Sequence, residues 1–191
     1  MKRRAIHDVL ARLVPSRFTP HCPADPSATM RAVSYARHGG REVLEVDPEH
    51  PRPSATRHHL LVRVGAAGLN PVDFKLRRDQ VMELALPLPK IPGTDLAGEV
   101  VAAPPGSPFV VGDRVFGMMP LLGTRWGACA QYVPVEPRFV TRTPEILDDA
   151  EAASLPLVGL TVPQGLAPAL RALGPGTPRA RRALVQAAAG S

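Results

Sequence analysis

Turn residues never lie far apart in this chain, and that spacing permits only short strands. From Met30 onward, β-type runs at Arg31–Tyr35, Val43–Asp47, Leu60–Val64, Glu99–Ala102, Arg114–Met118 and Cys129–Val133 are set apart by turn signals that include Gly39-Gly40, Pro104-Pro105-Gly106 and Gly112-Asp113. With 23 prolines, 16 glycines and only 4% aromatic residues, a helical bundle is a poor solution. Closely spaced short strands predict a mainly β barrel or sandwich with short helices. One helix is expected over Val72–Arg78, because Pro71 suits a first helical turn.

The two ends read differently from this middle. Residues 1–29 form a basic extension. Within its first part, Met1 to about Phe18, Ile6, Val9, Leu10, Leu13 and Val14 fall near one helical face among five basic residues and a single acid, Asp8. Such an Arg-bearing, acid-poor start resembles a mitochondrial presequence, with a cytoplasmic chain carrying a functionless extension as the alternative. Thr19–Thr29, with Pro20, Pro23 and Pro26, reads as a linker, so that Met30 opens the first strand. After Pro144, the acid-rich, Ala-rich run Asp148–Ala153 predicts a helix start. Leu157–Leu173 is apolar enough to continue as helix, but Pro163, Gly165 and Pro168 argue against an unbroken one. Gly174–Pro178 reads as a loop, and Ala183–Gln186 as a strand entering a glycine turn at Gly190.

Composition excludes several classes of function. Apolar runs are interrupted well short of the ~18 residues a spanning helix needs, so no membrane span is expected. The net charge of +6 sits mainly at the two ends, while the middle mixes signs. That distribution argues against a nucleic-acid function and for solvated basic termini. Cys22 and Cys129 make no disulfide framework and lack metal-ligand spacing.

Six blocks in order, MRAVSYARHGGREVLEV, LLVRVGAAGLNPVDFKLRRD, LPKIPGTDLAGEVV, VVGDRVFGM, WGACAQYV and DDAEAASLPLVGLT, resemble the medium-chain dehydrogenase/reductases, within them the zinc-independent quinone-oxidoreductase-like branch. The resemblance implies a chaperonin-10-like (GroES-like) β-barrel over 30–156, followed over 157–191 by the truncated start of a Rossmann domain. It also implies an NADPH-dependent reductase of quinones or α,β-unsaturated carbonyls, these residues supplying its substrate side. Because the closing glycine turn of the sequence is followed by no helix, the isolated polypeptide is expected to bind no cofactor and to be inactive. A non-catalytic remnant or interaction module, RNA binding included, is the alternative. Without a complete Rossmann sheet the apolar face of Leu157–Val185 lacks a partner, which would favour aggregation or a homodimer.

Zinc alcohol dehydrogenases of the superfamily place Cys where Asn70 stands and His-Glu where Thr94-Asp95 stand. Asn and Thr are poor zinc ligands, so no metal is expected. Asn70, Asp73 and Lys75 are the candidate catalytic residues, since the resemblance puts GLNPVDFK at the cleft beside the nicotinamide. An amide or ammonium there would stabilise charge developing on a substrate oxygen. Asn70 as a helix cap and Lys75 as a solvated lysine remain the alternative. Asn70, Thr161, Ala187 and Gly190 are the candidate cofactor contacts. Gly93 and Gly98 are expected to mark unusual backbone angles or close approach, Gly112-Asp113 a turn, and His58 and His59 surface positions.

Overall fold

The computed structural model describes residues 22–79 and 87–172; side chains are described for all of these except Pro26 and residues 168–172. The chain divides into two compact units, residues 1–158 and 159–191.

In the first unit, β1 (Ala24–Ser34) pairs antiparallel with β2 (Glu45–Pro53) in a two-stranded ribbon. A second sheet holds β3 (Leu60–Gly68), β4 (Asp95–Ala102), β5 (Arg114–Met118), β6 (Tyr132–Val135) and β7 (Val140–Arg142) in the order β6-β3-β4-β5-β7. Every recorded pairing in it is antiparallel. A bridge between Ala32 and Ala130 and another between Tyr35 and Lys90 tie β1 to segments flanking the large sheet. The strands thus enclose a core without closing into a continuous hydrogen-bonded barrel.

The first strand begins earlier than its prolines suggest. Residues 24–29, expected as linker, belong to β1, with Ala24 opposite Pro53 and Asp25 opposite Arg52. Prolines are tolerated because each strand of a two-stranded ribbon is an edge, with backbone donors to spare. Register shifts between Asp25 and Thr29 and between Met30 and Ala32 absorb the irregular backbone.

Leu60, Val62, Leu96, Val100, Val115, Val133 and Val135 send buried side chains into the main core, with Met30 and Trp126 from outside the sheet. The Trp126 indole N–H donates to the Cys22 carbonyl at 3.0 Å. Behind the sheet, Ala152 and Ala153 of α2 (Asp149–Ala153) pack on Ala97. Small residues on both sides bring helix and sheet close. As the acid-rich run predicts, α2 opens with reciprocal capping: Asp148 Oδ1 accepts the Glu151 N–H at 2.7 Å, and Glu151 Oε2 accepts the Asp148 N–H at 3.0 Å.

The helix α1 (Pro71–Arg77) matches its expected position to within a residue. The next apolar segment does not break at its prolines: α3 runs from Pro156 to Ala172 through both Pro163 and Pro168. Each proline removes one intrahelical donor, while leucine and alanine on either side favour continuation. Gly174–Pro178 and Ala183–Gln186 lie outside the described residues.

Candidate active site

Strand β3 ends at Gly68, and two residues later Asn70 takes extended angles (φ −124°, ψ 157°) just before α1. This junction is fixed from inside the helix: Asp73 Oδ2 accepts the Asn70 N–H at 2.8 Å. Its second oxygen accepts the Gly93 N–H at 3.1 Å, joining the helix to the segment that leads into β4. At Gly93 the backbone turns through φ +96°, and a Cβ there would lie 2.9 Å from the Cys129 nitrogen. Only glycine fits both conditions. Gly98 is needed for a different reason, because a Cβ would run into the Arg63 carbonyl across the β3–β4 pair. Both expectations for these glycines hold.

The Asn70 side chain spans from the end of β3 to the start of β4. Its Nδ2 donates to Asp95 Oδ2 at 2.9 Å and to Thr94 Oγ1 at 3.2 Å. Of the three residues standing where zinc relatives carry Cys, His and Glu, Asn70 is therefore hydrogen-bonded to both of the others. Asp95 Oδ2 also accepts the Leu157 N–H in the first turn of α3 at 3.2 Å, while its Oδ1 is buried with no partner among the described residues. Burial pushes the Asp95 carboxyl above the ordinary carboxylate range, against the pull of the Asn70 amide and the Leu157 N–H. Burial likewise raises Asp73, opposed by its two backbone donors, by Lys90 and by the Thr94 hydroxyl. Two carboxyl groups of raised proton affinity thus flank one oriented amide.

A narrow cavity beside this network is lined by Tyr35, Asp73, Lys90, Gly93, Thr94 and Trp126, among others. Lys90 is buried, and burial brings its ammonium down to about 8, opposed by the Asp73 charge. Burial also raises the Tyr35 hydroxyl to about 12, and burial together with Asp73 raises the Cys129 thiol to about 11.

Asn70 and Asp73 are thereby brought together. Lys75 is exposed on α1 and takes no part in the network. Thr161 lies exposed on α3 in the second unit, and Ala187 and Gly190 lie outside the described residues. Lys90, Thr94 and Asp95 are additions to the site. Thr94 and Asp95 were legible only as substitutes for metal ligands, and Lys90 only as a lysine set among apolar residues in LPKIPGTD.

His59 departs from expectation. While His58 is exposed, His59 is 7% exposed, its Nδ1 2.8 Å from Thr56 Oγ1, and burial lowers its proton affinity. It enters at the buried start of β3, where Leu60 and Leu61 draw the chain inward. There it lines a larger cavity of about 90 Å³ with Cys22, Met119, Trp126, Val135 and Glu136, at the opposite end of β3 from Asn70.

Among the described residues no group of three or more His, Cys, Asp and Glu side chains is placed to hold a metal ion. An amide nitrogen that donates and a hydroxyl bonded to it leave Asp95 as the one effective zinc ligand of the triad, so the donor set does not fit that metal. No helix among the described residues is long and apolar enough to cross a membrane.

Residues 56–145 match the alcohol dehydrogenase GroES-like domain. The chain is 38% identical over 144 residues to the 2-methylene-furan-3-one reductase of Solanum lycopersicum, covering 72% of this chain and 37% of that one. It is 36% identical over 144 residues to a chloroplastic NADPH-dependent alkenal/one oxidoreductase of Arabidopsis thaliana, with the same coverage of 72% and 37%. Its fold superposes on the quinone oxidoreductase of Coxiella burnetii with a TM-score of 0.68 at 32% identity, covering 75% of this chain and 46% of that one. The chain thus spans less than half the length of each of these relatives. The chloroplast address of the Arabidopsis protein differs from the mitochondrial one suggested by the basic N-terminal extension. In its sequence and its described fold alike, the chain belongs to the quinone-oxidoreductase-like branch of the medium-chain dehydrogenase/reductase superfamily and carries that family's GroES-like domain.

Proposed function

We propose that these residues form the substrate-side domain of an NADPH-dependent, zinc-independent reductase acting on quinones or α,β-unsaturated carbonyls. The observation that carries this reading is the Asn70 amide, held in one orientation by Thr94 and Asp95 within a domain shared with reductases. When bound, NADPH supplies the hydride. The chain's own residues position the acceptor. Both Nδ2 hydrogens of Asn70 are taken by Thr94 and Asp95, so its side chain acts as a fixed wall that orients the acceptor, set before the reaction begins. Asp73 holds the Asn70 backbone in place, and Thr161, Ala187 and Gly190 contact the cofactor. Lys75, exposed on α1, meets the acceptor or cofactor from the solvent side.

Turnover is proposed for these residues joined to a complete dinucleotide-binding domain, since they cover 37% of the tomato reductase. Alone, the 191-residue polypeptide binds NADPH too weakly to saturate, and residues 1–18 direct mitochondrial import, which an N-terminal fluorescent fusion would test. The decisive experiment joins the chain to the remaining C-terminal portion of the tomato reductase and follows NADPH oxidation with an alkenal and a quinone as acceptors. Acceptor-dependent oxidation by the chimera, with no saturable NADPH binding by the chain alone in a fluorescence titration, is the expected outcome. A folded chimera that binds NADPH and reduces neither acceptor would overturn the reading in favour of a non-catalytic module.

A further inference from the structure

We propose that the cavity beside His59 is a second small-molecule site, taking an uncharged cyclic compound of about six to eight heavy atoms with one hydrogen-bond-accepting oxygen, a cyclic ketone being the simplest. It lies at the opposite end of β3 from Asn70, and the proposal is independent of the reductase reading.

The cavity has both room and an entrance. At about 90 Å³, against roughly 10–15 Å³ for a single water, it has space for about six or more waters or a small ring. Buried Met119, Trp126, Pro134 and Val135 give it an apolar interior. Gly123 and Arg125, which also line it, are exposed, so that wall reaches solvent and gives a ligand a way in. Several polar groups around it are already committed. The Trp126 indole N–H donates to the Cys22 carbonyl, the Cys22 thiol to the Ser54 carbonyl at 3.2 Å, and Lys90 Nζ to the Thr124 carbonyl at 2.8 Å. Arg125 and Glu136 border the cavity with opposite charges, Glu136 being paired with Arg138 at 3.0 Å, so the two signs offset and an ionic ligand gains little.

His59 supplies the directional contact. Thr56 Oγ1 accepts the backbone N–H groups of His58 and His59, each at 3.2 Å, which occupies both of its lone pairs. Its one hydrogen is left to donate to His59 Nδ1 at 2.8 Å, so the neutral ring carries its own proton on Nε2. Burial lowers the proton affinity of the ring and keeps it neutral near pH 7, against the pull of Glu136. Among the described residues Nε2 has no hydrogen-bond partner, yet it is not one of the partnerless atoms shut away from solvent. This edge of the ring therefore meets the cavity that His59 lines rather than packed protein. An N–H fixed in an apolar chamber selects a ligand with an accepting oxygen, and a cyclic ketone adds a ring to cover Trp126 and the prolines. A carboxylate would give up its hydration for a single donor beside Glu136.

The test titrates the full ¹⁵N-labelled chain with cyclohexanone near neutral pH, following the His59 ring nitrogens by NMR and the fluorescence of Trp126, the only tryptophan. Free His59 is expected in its Nε2–H form, and saturable binding of about millimolar affinity should move the Nε2 and Trp126 signals together. Cyclohexanecarboxylate should bind more weakly than the ketone. His59→Asn keeps an acceptor for the Thr56 hydroxyl but lacks the Nε2 donor, and should weaken ketone binding about tenfold. An Nδ1–H ring, no saturable binding, a preference for the carboxylate, or undiminished binding by a folded His59→Asn chain would each overturn the proposal. Should that variant not fold, the wild-type titration decides alone, and an Nε2 signal unmoved at saturation refutes the site.

Discussion

Replacing Lys90 with methionine tests whether a buried, unpaired ammonium burdens this fold. Its ammonium falls from an ordinary 10.5 to about 8 on folding. At about 1.4 kcal/mol for each tenfold change in proton affinity, that corresponds to about 3 kcal/mol. The folded chain holds the proton more loosely, so the unfolded chain carries more protons between about pH 8 and 10.5. Stability therefore rises with pH across that window, and below it the folded state bears the whole cost. Cys22 and Cys129, raised by burial to about 11, and Tyr35, raised to about 12, act in the opposite direction over overlapping windows. A raw stability curve would mix all four groups, whereas the difference between wild type and Lys90→Met isolates the lysine. The variant also leaves the Thr124 carbonyl without its donor, which costs about 1–3 kcal/mol at every pH and so cannot change the slope. Urea unfolding followed through Trp126, the only tryptophan, would give both curves. The variant's stability relative to wild type is expected to drop by about 3 kcal/mol between pH 8 and 10.5. Parallel curves would refute the argument.

Two further substitutions test the network around Asn70. Asp95→Asn keeps an oxygen for the Asn70 and Leu157 donors and puts the amide nitrogen where Oδ1 has no partner. Because burial raises the Asp95 carboxyl, the wild type is most stable where the group is protonated in both states, and loses stability as pH rises through the folded value. The asparagine variant should thus gain on wild type between acid and neutral pH in chemical unfolding, and a gain in the reverse direction would contradict the assignment. Gly93→Ala should cost more than about 2 kcal/mol, combining a left-handed backbone with a Cβ pressed on Cys129, and a melting point unchanged within error would be inconsistent with that geometry.

What could be read in the sequence was whatever local chemistry decides. Pro71, the acids of Asp148–Glu151 and the Gly112-Asp113 turn act on residues three or four positions away, and α1, α2 and the turn into β5 stand where those signals put them. Elements fixed by distant partners were harder. The strand character of residues 24–29 depends on pairing with Arg52 and Pro53, and β7, three residues long, exists because it lies beside β5. In α3, flanking helix formers outweighed two prolines, a balance no single residue reveals.

The site divides in the same way. Asn70 and Asp73 are three apart at a helix start, a spacing at which side chain and backbone meet, and their link was within reach of the sequence. Thr94 and Asp95 join them across more than 20 residues through the β3–β4 pairing, which only the sheet register supplies. Lys90 and His59 broke the usual rule that lysine and histidine at turns face water, because neighbouring backbone pairs and leucines pull them inward.

Asn70 is the residue on which the proposed reduction depends most directly. In the chimera with the tomato reductase's cofactor portion, steady-state kinetics of Asn70→Ala should show acceptor kcat/KM reduced about 10–100-fold, with NADPH affinity and melting temperature nearly unchanged. Undiminished acceptor reduction by a folded Asn70→Ala chimera would contradict the claim that this amide, held by Thr94 and Asp95, serves the reaction.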